Sequence, residues 1–433
     1  MKSILVKKNM ELVKINNYTI ILIHVSDAQT TYVESILNHG MASENKFNLG
    51  ISHLTEHVVA SGWQKNTISE SDFWKTKGVK KNAWTFQTGV GYHINGLNKY
   101  QNDMINYIVD ITTKPIISQK RISKEKIAVK NELLNHLNDP EYKIFNKLNS
   151  MVFANEGMIL QDNCNIQIDN LKGLNLKEVS QWISLNYTPE NTVFIISGNL
   201  NKSKIKNKLN AKLNKFKNKC LLPSDRFFFK QGFAIDFVKN TKNSNSTLLF
   251  SFFTNIVQGD IQYNYLEVLK SFLSRGSSSS ILMNILREKL SLIYNCICNI
   301  YNTKYGTQFI ISIKCENKNI RNVVKNTVDV INLLKKGNYS NKIFESSKNE
   351  QLRNHYESCK NNISIANHYS SQIVSNLGES NIKLYTPDEL TVYLKKMNKQ
   401  KLIEVTNSIL DYSKLKFCYM SNKEIKHLIN LFP

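Results

Sequence analysis

The sequence predicts an α+β chain made of two domains of one fold. Three observations carry this. Short β-branched and apolar runs of strand length alternate with longer runs of helical periodicity. At 433 residues the chain can bury two sizeable cores. A helix–loop–strand unit also recurs weakly at an offset of about 226 residues, half the chain. Glu178-Val179-Ser180 answers to Glu404-Val405-Thr406, Leu185-Asn186-Tyr187 to Leu410-Asp411-Tyr412, and Val193–Ser197 to Leu415–Met420. The expected division is an N-terminal domain over 1–222 and a C-terminal domain over 223–433, joined near Leu222–Arg226, where Pro223 sits.

Thr19–Val25 reads as a buried strand, and Thr30–Ile36 as a second that ends at Asn38-His39-Gly40. His24 and His39 belong to a strand and a turn rather than to a ligand set. A short helix is expected from Ser52, as N-cap, to Ala60, with Gly62 as its stop. A helix with Phe73 and Trp74 stops at Gly78. Asn82–Phe86 and Tyr92–Ile94 are strand-like, with Gly89 and Gly91 between them. Asn102–Thr112 places Met104, Ile105, Ile108 and Val109 on one helical face, and Pro115 ends it. Ser123–Leu137 is a second strong helix with Ser123 at its cap. Glu125 and Glu132 share a face of it, two turns apart. Two acids on a stripe usually mean a solvated face. Flanked by apolar residues, a buried carboxylate needs a partner, and a metal is one.

Leu176–Leu185 is helical and Val193–Ser197 a strand. Asn201–Cys220 carries eight lysines and no acid, with Ile205, Leu209, Leu213 and Phe216 at helical spacing. This is an amphipathic helix with a solvated lysine face. In the second half, strands at Phe233–Val238 and Thr247–Thr254 precede a helix at Tyr263–Leu273 that has no histidine. The run Gly276-Ser277-Ser278-Ser279-Ser280 reads as the N-terminus of a helix over Ile281–Lys289. Phe309–Lys314 is a strand, and the remainder is mostly helical.

The stretch that carries chemistry is His53-Leu54-Thr55-Glu56-His57. On a helix, His53 and His57 lie one turn apart on one face and can point at one ion. Glu56 sits beside them, placed to hold a water. Zinc accepts imidazole nitrogen and carboxylate oxygen, and a catalytic site keeps one position open. The order His-x-x-Glu-His is an inverted metalloprotease signature, and the second helix offers Glu125 and Glu132 as candidate carboxylate partners for such an ion.

Composition narrows the alternatives. The formal net charge is +23, which invites a nucleic-acid reading. The basic residues are nearly all lysines, however; the arginines are Arg121, Arg226, Arg275, Arg287, Arg321 and Arg353. Readers of bases and phosphates lean on arginine for two-point contacts, so no specific nucleic-acid partner is expected. The seven cysteines form no Cys-x-x-Cys pair and read as reduced thiols. Ile4-Leu5-Val6 is too short for a signal peptide. No run approaches the roughly 18 apolar residues of a membrane span. The expected setting is cytoplasmic, with a virion or an organelle matrix as alternatives.

Taken together, these features resemble the M16 family of metallopeptidases, the pitrilysin, insulin-degrading-enzyme and mitochondrial-processing-peptidase group. Gly50-Ile51-Ser52-His53 through His57 resembles the family's Gly-x-x-His-x-x-Glu-His helix. Glu132 falls where the family places its third zinc ligand, and Glu125 where it has a supporting glutamate. Asn82-Ala83-x-Thr85 resembles the Asn-Ala-x-Thr strand whose edge receives substrate. Leu286-Arg287-Glu288 and Tyr294, after the Gly-Ser-Ser run, resemble the Arg and Tyr pair that holds the peptide. Two departures stand out. A single Gly78 precedes Asn82-Ala83 where two adjacent glycines are usual, and Thr55 is polar where the family prefers an apolar residue.

The resemblance implies two duplicated domains, each a mostly antiparallel sheet covered by helices. It implies a zinc metalloendopeptidase with one Zn2+ per chain, held by His53, His57 and Glu132. Glu56 would be the catalytic base, supported by Glu125, and Asn82, Ala83, Thr85, Arg287 and Tyr294 would bind a peptide or unfolded protein. The short length resembles members that pair with a second M16-like chain. A noncatalytic structural or recognition subunit, and a virion-protein processing protease of a large DNA virus, remain as alternatives.

Overall fold

The computed structural model describes residues 2–7, 9–65, 68–139, 141–215, 229–240, 244–273, 280–303, 305–374 and 383–433. Its strands are β1 (Lys2–Lys7), β2 (Met10–Ile15), β3 (Tyr18–His24), β4 (Thr30–Leu37), β5 (Gln64–Lys65), β6 (Ile68–Ser69), β7 (Lys80–Thr85), β8 (Val90–Leu97), β9 (Thr192–Gly198), β10 (Ala234–Lys239), β11 (Asn245–Thr254), β12 (Ile293–Thr303), β13 (Gly306–Glu316) and β14 (Lys416–Ser421). The helices needed below are α1 (Ile51–Ala60), α2 (Gln101–Thr113), α3 (Gln119–Leu137), α4 (Tyr142–Val152), α5 (Leu176–Asn186), α6 (Lys202–Leu213), α7 (Tyr263–Leu273), α8 (Ile320–Lys335), α9 (Asn362–Val374) and α10 (Lys399–Ile409).

The chain divides into two compact units. The first holds Met1–Asn138, Glu156–Arg226 and Ser358–Thr386; the second holds Asp139–Asn155, Phe227–Glu357 and Pro387–Pro433. The strands follow the expected halves, but two helices cross the division: α4 belongs to the second unit and α9 to the first. The expected linker lies outside the described residues.

The first unit is built on a seven-stranded sheet in the order β1-β2-β3-β9-β4-β8-β7, the second on a five-stranded sheet in the order β10-β14-β11-β13-β12. Within each, one pairing is parallel, β3 with β9 and β10 with β14. The remaining pairings are antiparallel. The expected mostly antiparallel α+β class is therefore what the chain adopts. The five strands β3-β9-β4-β8-β7 and β10-β14-β11-β13-β12 also share one topology: first, last, second, fourth, third in each unit's own order. The weak repeat read from the sequence marks α5 with β9 and α10 with β14, the equivalent closing pieces of the two sheets.

Residue type explains the first sheet's strands. In β3, Ile20 and Leu22 face one apolar cluster while Ile21 and Ile23 face another. A strand buried on both faces reads as a continuous apolar run rather than an alternating one. One face packs against Val59 of α1, Met104, Ile105 and Ile108 of α2, and Ile205, Leu209 and Leu213 of α6. The lysines of α6 are partly tied down: Lys206 pairs with Glu11 at 2.9 Å and Lys212 with Asp110 at 2.6 Å. Phe216, expected on its apolar stripe, lies outside the described residues. The other face packs Met10, Leu12, Tyr32, Ile36, Val193 and Ile195 against Ala366, Tyr369 and Ile373 of α9. The Asn362 amide of α9 also donates to the Thr30 carbonyl at 2.8 Å.

Beneath α9 lies Glu34 of β4, fully buried, with hydrogen bonds to Ser370, Tyr32 and Trp84. Its Oε2 has no partner. Burial pushes its carboxyl up to about 7. The folded chain thus holds this proton more tightly than the unfolded chain, and stability falls as pH rises from about 4.5 through about 7. The cross-strand neighbour His93 has its imidazole pushed down by burial. Glu34→Gln is expected to flatten that decline. Thermal melts of both proteins from pH 5 to pH 8 should show the variant gaining on the wild type as pH rises; parallel curves would reject this.

In the second unit, Leu248, Phe250 and Phe252 of β11 and Phe309, Ile311 and Ile313 of β13 form one core. They pack against α7, α8 and α10 through Leu266, Leu269, Val324, Ile331 and Leu402. On α4, Lys147 pairs with Asp236 of β10 at 2.6 Å. The described part of the expected helix over Ile281–Lys289 is present, and Met283–Lys289 is wound as a π-helix. Its Gly276–Ser279 lead-in lies outside the described residues. Five strands were not expected: β1 and β2 at the start, the short pair β5 and β6, and β12, which follows that helix directly.

Candidate metal centre

Gly50 opens α1 with φ +94, a left-handed conformation that glycine takes without strain. The helix begins at Ile51, so Ser52 lies inside it and does not cap it. The cap comes from further back. The Glu44 carboxylate accepts the Gly50 N–H at 2.8 Å and the Ser52 N–H at 2.7 Å. A buried anion here satisfies two orphan donors and meets the positive end of the helix dipole. Burial still pushes the Glu44 carboxyl up to about 7. The second helix likewise starts earlier than expected, at Gln119, capped by Ser118, whose Oγ accepts the Arg121 N–H. Ser123 lies one turn inside it.

α1 packs against α3, and the donors meet there. Glu132 Oε2 is 3.2 Å from His53 Nε2 and 3.5 Å from His57 Nε2. The two imidazoles stand edge to face with centroids 4.9 Å apart. Among the described residues, His53, His57 and Glu132 form the one group of three whose ligand atoms all lie within 4.8 Å of one another. At zinc–ligand distances near 2.0–2.1 Å, the edge of a tetrahedron is about 3.3 Å. The separations and the donor types fit that ion. Burial alone would lower the His53 imidazole, but the neighbouring carboxylates of Glu132, Glu56 and Glu44 outweigh it and raise it. The His53 hydrogen bond holds the Glu132 carboxyl below its ordinary range.

Glu125 Oε2 lies 3.5 Å from His57 Nδ1, so the ring of His57 sits between two carboxylates. A carboxylate placed this way fixes the tautomer and orientation of a histidine that ligates a metal. The Ser61 hydroxyl donates to Glu125 Oε1 at 3.2 Å. Glu56 is 7% exposed, and burial pushes its carboxyl up, against the pull of a Thr85 hydrogen bond. That hydroxyl donates to Glu56 Oε2 at 2.7 Å.

β7, which carries Asn82, Ala83 and Thr85, is the last strand of its sheet. Asn82 is exposed and the other two are half-buried. Gly78, the single glycine before it, has φ +62. Thr55 is fully buried with an unpartnered Oγ1, so its polarity is not offset by any hydrogen bond within the described residues. His24 Nδ1 accepts the Leu200 N–H at 3.1 Å, and His39 is buried beside Trp182 and Tyr187 with both nitrogens unpartnered. In the second unit, Arg287 lies on the π-helix, half-exposed, with Nε 4.0 Å from Glu288. Tyr294 is 51% exposed and its hydroxyl donates to Glu316 at 3.4 Å.

Sequence reasoning missed Glu44 and Ser61. No spacing rule marks a cap acceptor seven residues ahead of the first residue of its helix. Ser61 reads only as part of the helix stop.

Residues 19–161 match the profile of Insulinase (Peptidase family M16), and residues 173–351 match that of the Peptidase M16 inactive domain. The chain belongs to the M16 family of peptidases. This M16 chain is 22% identical over 315 residues to an uncharacterized zinc protease of Rickettsia felis, covering 71% of this chain and 73% of that protein. It is 21% identical over 196 residues to the mitochondrial-processing peptidase subunit beta of Saccharomyces cerevisiae, 44% of this chain and 41% of that one. A protease from Helicobacter pylori has the same fold, with TM-score 0.81 at 16% identity over 95% of this chain and 99% of that one. The profile matching most of the second half is named for an inactive domain, and that half has no counterpart of the His53–His57 run. Among the described residues, no helix is long and apolar enough to cross a membrane.

Proposed function

We propose that this chain is a zinc-dependent endopeptidase. The observation that carries the reading is the convergence of His53, His57 and Glu132, with the Glu56 carboxylate on the same helix. His53, His57 and Glu132 would hold zinc, which as a Lewis acid polarises a peptide carbonyl and favours deprotonation of water. Glu56 takes a proton from the attacking water and returns it to the leaving amine. Its burial makes the carboxylate a stronger base than an exposed one. Glu125 holds His57 in place. An extended peptide pairs with the open edge of β7, so main-chain hydrogen bonds give affinity with little sequence demand. Arg287 and Tyr294 supply further donors to peptide carbonyls. The relative named as a processing-peptidase subunit supports a second M16-like chain as partner.

Metal analysis tests the ligand set. The wild type is expected to carry one zinc per chain and His57→Ala to lose most of it; full retention in the variant would sink the assignment. Cleavage of a peptide mixture by the zinc-loaded wild type tests the activity. Zinc binding without cleavage would make the chain a noncatalytic subunit.

A further inference from the structure

Resting on the reading of Glu56 as the proton-transferring group, we infer that Thr85 is the positioning residue for Glu56. Thr85 resembles part of a substrate-receiving strand, but its own hydroxyl is directed to the base. The Oγ1–Oε2 distance of 2.7 Å is at the favoured length for an O–H···O bond. A bond to a carboxylate is of the stronger, charge-assisted kind. Period-2 alternation in β7 explains the direction. Thr85 and Ala83 face the cluster that includes Val59 of α1, and Trp84 faces the other side, its ring lying where a Cβ on Gly91 would be.

Glutamate has three side-chain torsions, and most of its conformers would point away from a bound water. Threonine is stiff at χ1, so the strand backbone sets where its hydroxyl stands. The donor therefore fixes one oxygen of Glu56 and leaves Oε1 to face the water. The same strand offers its edge to the peptide. Pairing a peptide to β7 stiffens the segment that holds the donor, which ties substrate docking to the orientation of the base.

The test uses the full zinc-loaded chain and a quenched fluorescent peptide that the wild type cleaves. Thr85→Val removes the hydroxyl at nearly constant volume. It should lower kcat by about ten- to a hundredfold, as loss of alignment does, with KM and zinc content held near wild type. Thr85→Ser should recover most of kcat. Binding separates this from direct substrate contact. On a Glu56→Gln background, adding Thr85→Val should leave the anisotropy-measured Kd for the labelled peptide within twofold. A tenfold weaker Kd, or a raised KM with unchanged kcat, would make Thr85 a substrate-binding residue and overturn the inference. Crystal structures give a readout independent of turnover. Glu56 should leave its position in Thr85→Val and keep it in Thr85→Ser, and an unmoved Glu56 in the valine variant would also overturn it. A wild type that cleaves no peptide would instead refute the protease reading.

Discussion

Glu56→Gln is expected to bind zinc at the wild-type ratio and to lose peptide hydrolysis by about 10²- to 10⁴-fold, the usual worth of a general base. The amide keeps the volume of the carboxylate, and its carbonyl can still accept the Thr85 hydroxyl. It cannot take up a proton. The substitution also removes one negative charge from the neighbourhood of His53, whose imidazole that charge helps to raise. The three candidate ligands His53, His57 and Glu132 are left untouched, so zinc should be retained. Turnover is read from a fluorogenic peptide and zinc from elemental analysis of the same sample. A variant with wild-type turnover would place the base elsewhere.

The second large effect concerns folding. A fragment ending at residue 226 is expected not to form the first unit, although it contains all seven strands of its sheet and the donor cluster. The missing piece is α9. Without it, Met10, Leu12, Ile21, Ile23, Tyr32, Ile36, Val193 and Ile195 lose their cover of Ala366, Tyr369 and Ile373. At about 1.5–3 kcal/mol for each fully buried apolar side chain, the loss is on the order of 10 kcal/mol. That is comparable to the whole stability of an ordinary domain. The Thr30 and Ser197 carbonyls would also lose the Asn362 amide. The fragment should bind a hydrophobic dye and show no cooperative melt. A separate peptide of residues 358–386 should restore both protection from amide exchange in β3 and cooperative melting. A fragment that melts cooperatively at the temperature of the full chain would disprove the dependence.

The parts legible in the sequence were those set by local pattern. The His-x-x-Glu-His run, the apolar stripes of α2 and α6 and the doubly buried β3 all follow from periodicity and residue type. Boundaries were missed where a better cap lay outside the pattern. Ser52 looked like a cap because serine commonly is one, yet Glu44, folded back from a separate turn, holds the start of α1. Likewise Ser118, not Ser123, caps α3. β12 was hidden because Ile293–Thr303 mixes asparagines, tyrosines and cysteines, and as the last strand of its sheet it leaves Ile297 and Tyr301 half in water. The exchange of α4 and α9 was not legible at all. Nothing in an amphipathic helix says which of two apolar sheets it will cover.

That exchange sets a clock on biosynthesis. The strands of the first sheet have all left the peptidyl-transferase centre once residue 198 is joined, but the last residue of α9 is 374. At about 5–20 residues per second, the intervening stretch of roughly 176 residues takes on the order of 10–35 s. Throughout that interval the nascent chain carries an uncovered apolar sheet face, whose natural sealant has not yet been translated. The first unit, though its strands are made early, cannot mature until α9 has been translated. A chain abandoned anywhere between the two points would have the His53, His57 and Glu132 cluster made and its sheet still open to aggregation.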